Sequence, residues 1–228
     1  MLDIQEISII LAANNLTPAL LSLDFLRGSG IVPEDWELSQ TPTFTNRASQ
    51  VVFQNGVSLT AQPGTIMFSE SFSGEIPEEF RVSEVVRAYV TTLPNVDYRA
   101  VAINPRRFVT LEESSEDAGQ YIARHLLTPG AWQDLGDAPV QASINLNYTL
   151  EDRAFRLNIS EANLQSPDQD PTQALVFAGS FAYELTEETR DGRIKTLNKV
   201  LQNLFKDFKD YREVINTKFL KGLAIKPE

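Results

Sequence analysis

The sequence predicts an α+β protein, a mainly antiparallel sheet covered on one face by helices. Three observations carry this. Short segments of alternating apolar residues recur through the chain, punctuated by Gly, Pro and Asn. Segments of helical period fall between them, and the chain closes on a long heptad-spaced segment. A meander with one apolar face needs a helical layer to cover that face.

Ile7, Ile9 and Leu11 alternate with Ser8, Ile10 and Ala12, so residues 4–13 read as a mostly buried strand. Thr17 and Pro18 offer an N-cap and a first-turn proline. Leu20, Leu21, Leu23 and Leu26 follow, and Gly28 is a stop, so a helix is expected over 18–27. Residues 28–43 form a long connection. Residues 51–54 lead into Asn55-Gly56, a strong hairpin signal because both turn residues tolerate positive φ. Val57, Leu59 and Ala61 alternate on the return, Pro63-Gly64 turns the chain again, and 65–72 is a further strand. Val82, Val85, Val86, Tyr89, Val90 and Leu93 then recur at helical spacing before Pro94.

The order begins again after Pro94. Residues 98–104 form a strand with Val101 and Ile103 on one face, which stops at Pro105 and resumes over 108–111. Ser114 and Ser115 precede a helix with Glu116 and Asp117 in its first turn and Ala118, Tyr121, Ile122 and Leu126 on its apolar side. Ile144, Leu146, Tyr148 and Leu150 alternate, the chain reverses at 151–153, and Phe155, Leu157 and Ile159 alternate back. A polar loop occupies 165–172, and 175–185 is the third strand of this meander. A helix over 191–219 closes the chain.

Two halves, 1–95 and 96–228, thus repeat one element order: strand, helix, three or four antiparallel strands, helix. They share no residue-level identity and are expected to form one unit. This layout resembles the TATA-binding-protein-like arrangement and, more loosely, helix-grip folds. The resemblance covers element order over the whole chain, rests on no sequence motif, and carries no function with it.

In the closing helix Ile194, Leu197, Leu201, Leu204, Phe208, Tyr211 and Ile215 form a heptad seam, widened by Val200, Phe205 and Val214. A widened stripe fits packing across a sheet. The competing expectation is self-association, with Leu204, Phe208, Tyr211 and Ile215 as the interface.

Charge divides the chain at the same place. The net charge is −11; residues 1–189 carry −16 and no Lys, and residues 190–228 carry +5. An acidic body disfavours nucleic-acid binding, since phosphate affinity comes mainly from Lys and Arg. The basic helix interleaves its lysines with Asp207, Asp210 and Glu213, as a solvated face does. Zero Cys excludes a thiolate nucleophile, a disulfide scaffold and a thiolate metal site, and one His excludes any site needing two imidazoles. The apolar stretch at 7–13 is too short to span a bilayer, which takes about 20 residues. No basic region precedes it. A cytoplasmic location without membrane association is expected, and no cofactor or metal.

Two groups of residues are candidates for binding. Asn104, Arg106 and Arg107, with Arg99 nearby, could hold phosphate or carboxylate groups, or pair with the protein's own acids. Asn145, Asn147, Arg156 and Asn158 fall on the polar side of the second meander. They could form a concave hydrogen-bonding surface for a peptide, protein or small ligand, or an ordinary wet sheet face. Residues 112–117 are acid-rich but lack calcium-loop spacing, and acids suit a helix N-terminus. His125 reads as structural. No phosphate-binding glycine loop or nucleophile motif occurs. The function expected is a non-enzymatic binding or assembly protein, with a protein partner or a second copy of the chain as candidate partners. The rival is an enzyme using carboxylates and Arg on a phosphorylated or cationic small molecule.

Overall fold

The computed structural model describes residues 3–110, 118–137, 140–150, 153–164 and 171–221. Among the described residues nine strands are present: β1 (Asp3–Ala13), β2 (Thr43–Phe44), β3 (Ser49–Val52), β4 (Val57–Gln62), β5 (Thr65–Ser73), β6 (Tyr98–Thr110), β7 (Ile144–Thr149), β8 (Ala154–Leu164) and β9 (Thr172–Glu184). The α-helices are α1 (Leu23–Gly28), α2 (Arg81–Thr92), α3 (Ala118–Tyr121) and α4 (Arg190–Val214). The strands form one sheet in the order β2-β3-β4-β5-β1-β6-β9-β8-β7. Every neighbouring pair is antiparallel.

Period-2 alternation decides which face is buried. Ile7, Ile9 and Leu11 of β1, Val101 and Ile103 of β6, Phe177 and Phe181 of β9, and Phe155, Leu157 and Ile159 of β8 join one core. The helices cover that face. α2 packs on β5 and β1, α4 on β6 and β9, and α3 on β8 and β9. Leu197, Leu201, Leu204, Phe208, Tyr211 and Ile215 are all buried, so the seam of α4 lies against the sheet. The proposed interface set, Leu204, Phe208, Tyr211 and Ile215, is therefore consumed within the single chain. Their apolar surface is already removed from water and offers no exposed stripe to a second copy.

Polar contacts tie the basic helix to the acidic body. Arg193 pairs with Asp97 at 2.8 Å, and Arg153 reaches from the β7–β8 turn to Asp207 at 3.0 Å and Asp210 at 2.9 Å. Lys195, Lys199, Lys206 and Lys209 stay on the exposed side. The amide of Val82 donates to the buried Glu70 carboxylate at 3.0 Å, and Arg81 donates to its other oxygen at 3.2 Å. Phe80, at the N-cap of α2, makes no side-chain cap. A carboxylate from β5 thus serves the orphan N–H groups and favourable dipole end of α2. Burial nonetheless pushes the Glu70 carboxyl above its ordinary value.

Local readings differ from the structure in several places. Residues 18–27 split into a 3-10 turn, Pro18–Leu20, and α1, because Ser22 rather than Thr17 caps the helix: Phe25 N–H donates to Ser22 Oγ at 3.2 Å. β6 runs unbroken through Pro105, which pairs with Ile7 on its β1 side. On its β9 side, pairing skips from Ile103↔Phe181 to Arg106↔Ala178. The sheet accommodates a residue without an N–H by leaving that step of the ladder open. The closing helix passes into a π-helical turn, Ile215–Phe219. The helix start expected at residues 114–117 lies outside the described residues.

Candidate functional site: the concave sheet face

The face of the sheet opposite the core encloses a cavity of about 450 Å³ whose lining residues all lie in strands. They come from eight strands, from Gln50 of β3 to Asn145 and Asn147 of β7. Strands seven places apart in a sheet can share one cavity only if the sheet curls around it, consistent with its accumulated twist.

The floor is set by register. Asn147 stands opposite Arg156, and Arg156 opposite Ser180. Ser8 stands opposite both Asn104 and Ser69, and Ser69 opposite Ser58. A row of mostly small polar side chains therefore crosses from β7 to β4, broken only at the open step beside Pro105. Ser8 and Ser69 are each only 5% exposed, so the floor is deep while its rim is open. A second row runs Asn145, Asn158, Ala178, Arg106, Glu6.

Few of the polar groups here are spent on each other. Asn158 Nδ2 donates to Asn145 Oδ1 at 2.9 Å, and Ser8 Oγ donates to the Asn104 carbonyl at 3.4 Å. Arg106 approaches Glu6 at 3.7 Å, an ion pair too long for a hydrogen bond. Both side chains are partly exposed, so the pair is weak.

Six of the eight binding candidates line this cavity: Asn104, Arg106, Asn145, Asn147, Arg156 and Asn158. The other two do not. Arg107 projects to the opposite face, where it is buried and donates to Asn216 Oδ1. Adjacent residues of a strand point to opposite sides, so the Arg106-Arg107 pair cannot act as one clamp. Arg99 sits near the end of β6 in an ion pair with Asp97 at 2.7 Å. Sequence reasoning missed Glu6, Ser8, Ser58, Ser69 and Ser180. Glu6 and Ser8 were detectable as polar positions facing away from Ile7 and Ile9.

A smaller groove of about 390 Å³ lies on the helix side, lined by Tyr148, Leu150, Phe155, Phe181, Asp210, Tyr211, Val214 and Lys218. Its wall is a ladder of rings: Tyr148 stacks on Phe155 at 5.8 Å, and Phe155 on Phe181 at 4.6 Å. Beside it Asp207 accepts from Tyr183 at 2.7 Å, and burial raises the Asp207 carboxyl above its ordinary value. His125 is exposed, its ring tilted by 32° against that of Tyr121 at 5.0 Å. No helix among the described residues is long and apolar enough to cross a membrane.

Comparison with protein-family models and with curated proteins finds no match to this chain.

Proposed function

We propose that this is a non-enzymatic binding protein whose concave sheet face holds its ligand. The observation that carries the reading is the cavity of about 450 Å³ on the uncovered face, within the size range of small-molecule sites. Its chemistry supports orientation over bond-breaking. Among the described residues Glu6 is the one carboxylate in its lining, and it faces Arg106. General acid–base chemistry on two converging carboxylates has no support there, which weighs against the enzyme alternative.

We further read the chain as two halves in a pseudo-repeat, the arrangement that the likeness to TATA-binding-protein-like folds implies. Strand order supports this. β1 and β6 adjoin at the centre, with β5 and β9, β4 and β8, then β3 and β7 following outward. Such pairing of halves closes one curved sheet around one site.

The test is to fill the cavity without touching the core. Ser180→Trp places a large ring above the floor. Ligand-observed NMR with a small-molecule fragment library should show binding to the natural chain. That binding should be lost in Ser180→Trp at an unchanged melting temperature. Equal binding to both proteins, or none to the natural chain, contradicts the reading.

A further inference from the structure

We infer that the ligand of the concave face presents a monoanionic carboxylate, and that Arg156 holds it. This rests on the proposed binding function and adds the chemistry of the ligand. Most arginines in seams and grooves are already committed: Arg81 to Glu70, Arg99 and Arg193 to Asp97, Arg106 to Glu6, and Arg153 to Asp207 and Asp210. Arg156 lines the cavity, and among the described residues no acidic side chain lies within 4.0 Å of it. Arg47 and Arg87 likewise have no acidic side chain within 4.0 Å among the described residues but lie outside the cavity lining. The Arg156 side chain is exposed at the open rim of the cavity, and in a chain with net charge −11 it has abundant acids elsewhere to meet, yet stands apart from them.

The neighbours complete a donor row. Asn147 is its cross-strand partner on one side and Ser180 on the other, within about 5 Å between Cβ atoms in antiparallel pairs. Neither side chain is engaged in a hydrogen bond among the described residues, so a carboxamide and a hydroxyl flank the guanidinium. Ala178 beside them is small enough for an oxygen to approach the sheet. A planar guanidinium with flanking neutral donors matches a carboxylate bound side-on. Counting charge selects the valence. Arg106 and Glu6 cancel, the asparagines are neutral, and Arg156 leaves a single positive charge. A monoanion balances it. A phosphate dianion would leave an unpaired charge in an acidic body.

The test uses the full chain, labelled with ¹⁵N, and small carboxylates each matched to its primary amide, such as benzoate and benzamide. Benzoate should shift the Asn147 side-chain amide and the Arg156 and Ser180 backbone signals saturably, and benzamide should not. Arg156→Gln should weaken benzoate by about tenfold or more, the scale of one charge-assisted contact, at an unchanged melting temperature. Arg47→Gln should leave it unchanged. Benzamide binding as well as benzoate on this face would overturn the carboxylate inference and leave the binding function standing. Inorganic phosphate binding as tightly as the carboxylates would overturn the monoanion argument. No shift on this face with any member of either series would overturn both.

Discussion

The hydroxyl of Tyr211 donates to the carbonyl of Phe177 at 2.6 Å, pinning α4 to β9 two residues from Gly179, where the pairing of β9 with β6 is interrupted. The ring then covers Gly179. A Cβ added there would stand 2.9 Å from Tyr211 Cδ2, 3.0 Å from Pro105 Cγ and 3.1 Å from Phe155 Cε2. A proline without an N–H, a glycine without a side chain and a tyrosine with a hydroxyl thus solve one packing problem together. Gly179→Ala should cost about 1–3 kcal/mol by overpacking, and Tyr211→Phe about 1 kcal/mol from the lost hydrogen bond, both read by urea unfolding.

Glu70 gives the fold a signature in pH. Its folded-state pKa lies above its unfolded value, chiefly because it is buried. The folded state then holds its proton more tightly than the unfolded state does. Stability from this group is fully present below the unfolded pKa and is lost as pH rises through the folded pKa. Glu70→Gln should therefore gain on the natural chain as pH climbs from 4 to 7. Unfolding curves across that range should show the difference growing with pH. A constant or shrinking difference would contradict the assignment.

Arg153 and Asp207 form a buried pair, 8% and 0% exposed in their side chains, with the Arg153 guanidinium 5.1 Å from the Phe181 ring centre. Arg153→Met should destabilise by about 3–5 kcal/mol, because Asp207 is left charged and buried. Adding Asp207→Leu should recover part of the loss. Chemical denaturation of the single and double variants checks this.

Gly56 is required twice by the hairpin that joins β3 to β4. Its φ is +86°, and a Cβ there would lie 2.4 Å from the Ser71 carbonyl oxygen. Gly56→Ala should cost about 1–3 kcal/mol in the same assay, combining left-handed strain with the clash. Asn55→Ala should cost less, since it loses only the acceptor for Val57 N–H at 3.1 Å.

Most elements are legible in the sequence where one period is sustained locally. The alternations of β1, β4 and β8 and the stripe of α2 survive because each buries one face, and that of β7 survives with Ile144 and Leu146 half-buried. The seam of α4 is legible too, but sequence leaves open whether it meets a sheet or a second copy. Position 105 misleads because proline is a poor central-strand residue, and only Gly179 across the ladder resolves it. The first helix misleads because Thr17 and Ser22 compete as caps and only one is used. The site is half legible for a related reason. Asn145, Asn147, Arg156 and Asn158 share a local hairpin, so alternation alone gathers them. Ser8, Ser69 and Ser180 join them through strand order, which sequence periodicity does not contain. Arg106 and Arg107 are separated by the same alternation once β6 is continuous.

The central claim is that the uncovered sheet face is the binding site, and fragment soaking of crystals of the full chain tests it most directly. The account predicts small carboxylates bound in the cavity of about 450 Å³, with oxygens in hydrogen-bond reach of the Arg156 guanidinium. Fragments gathering in the aromatic groove around Tyr148 and Phe155, with the sheet face left to solvent, would contradict it.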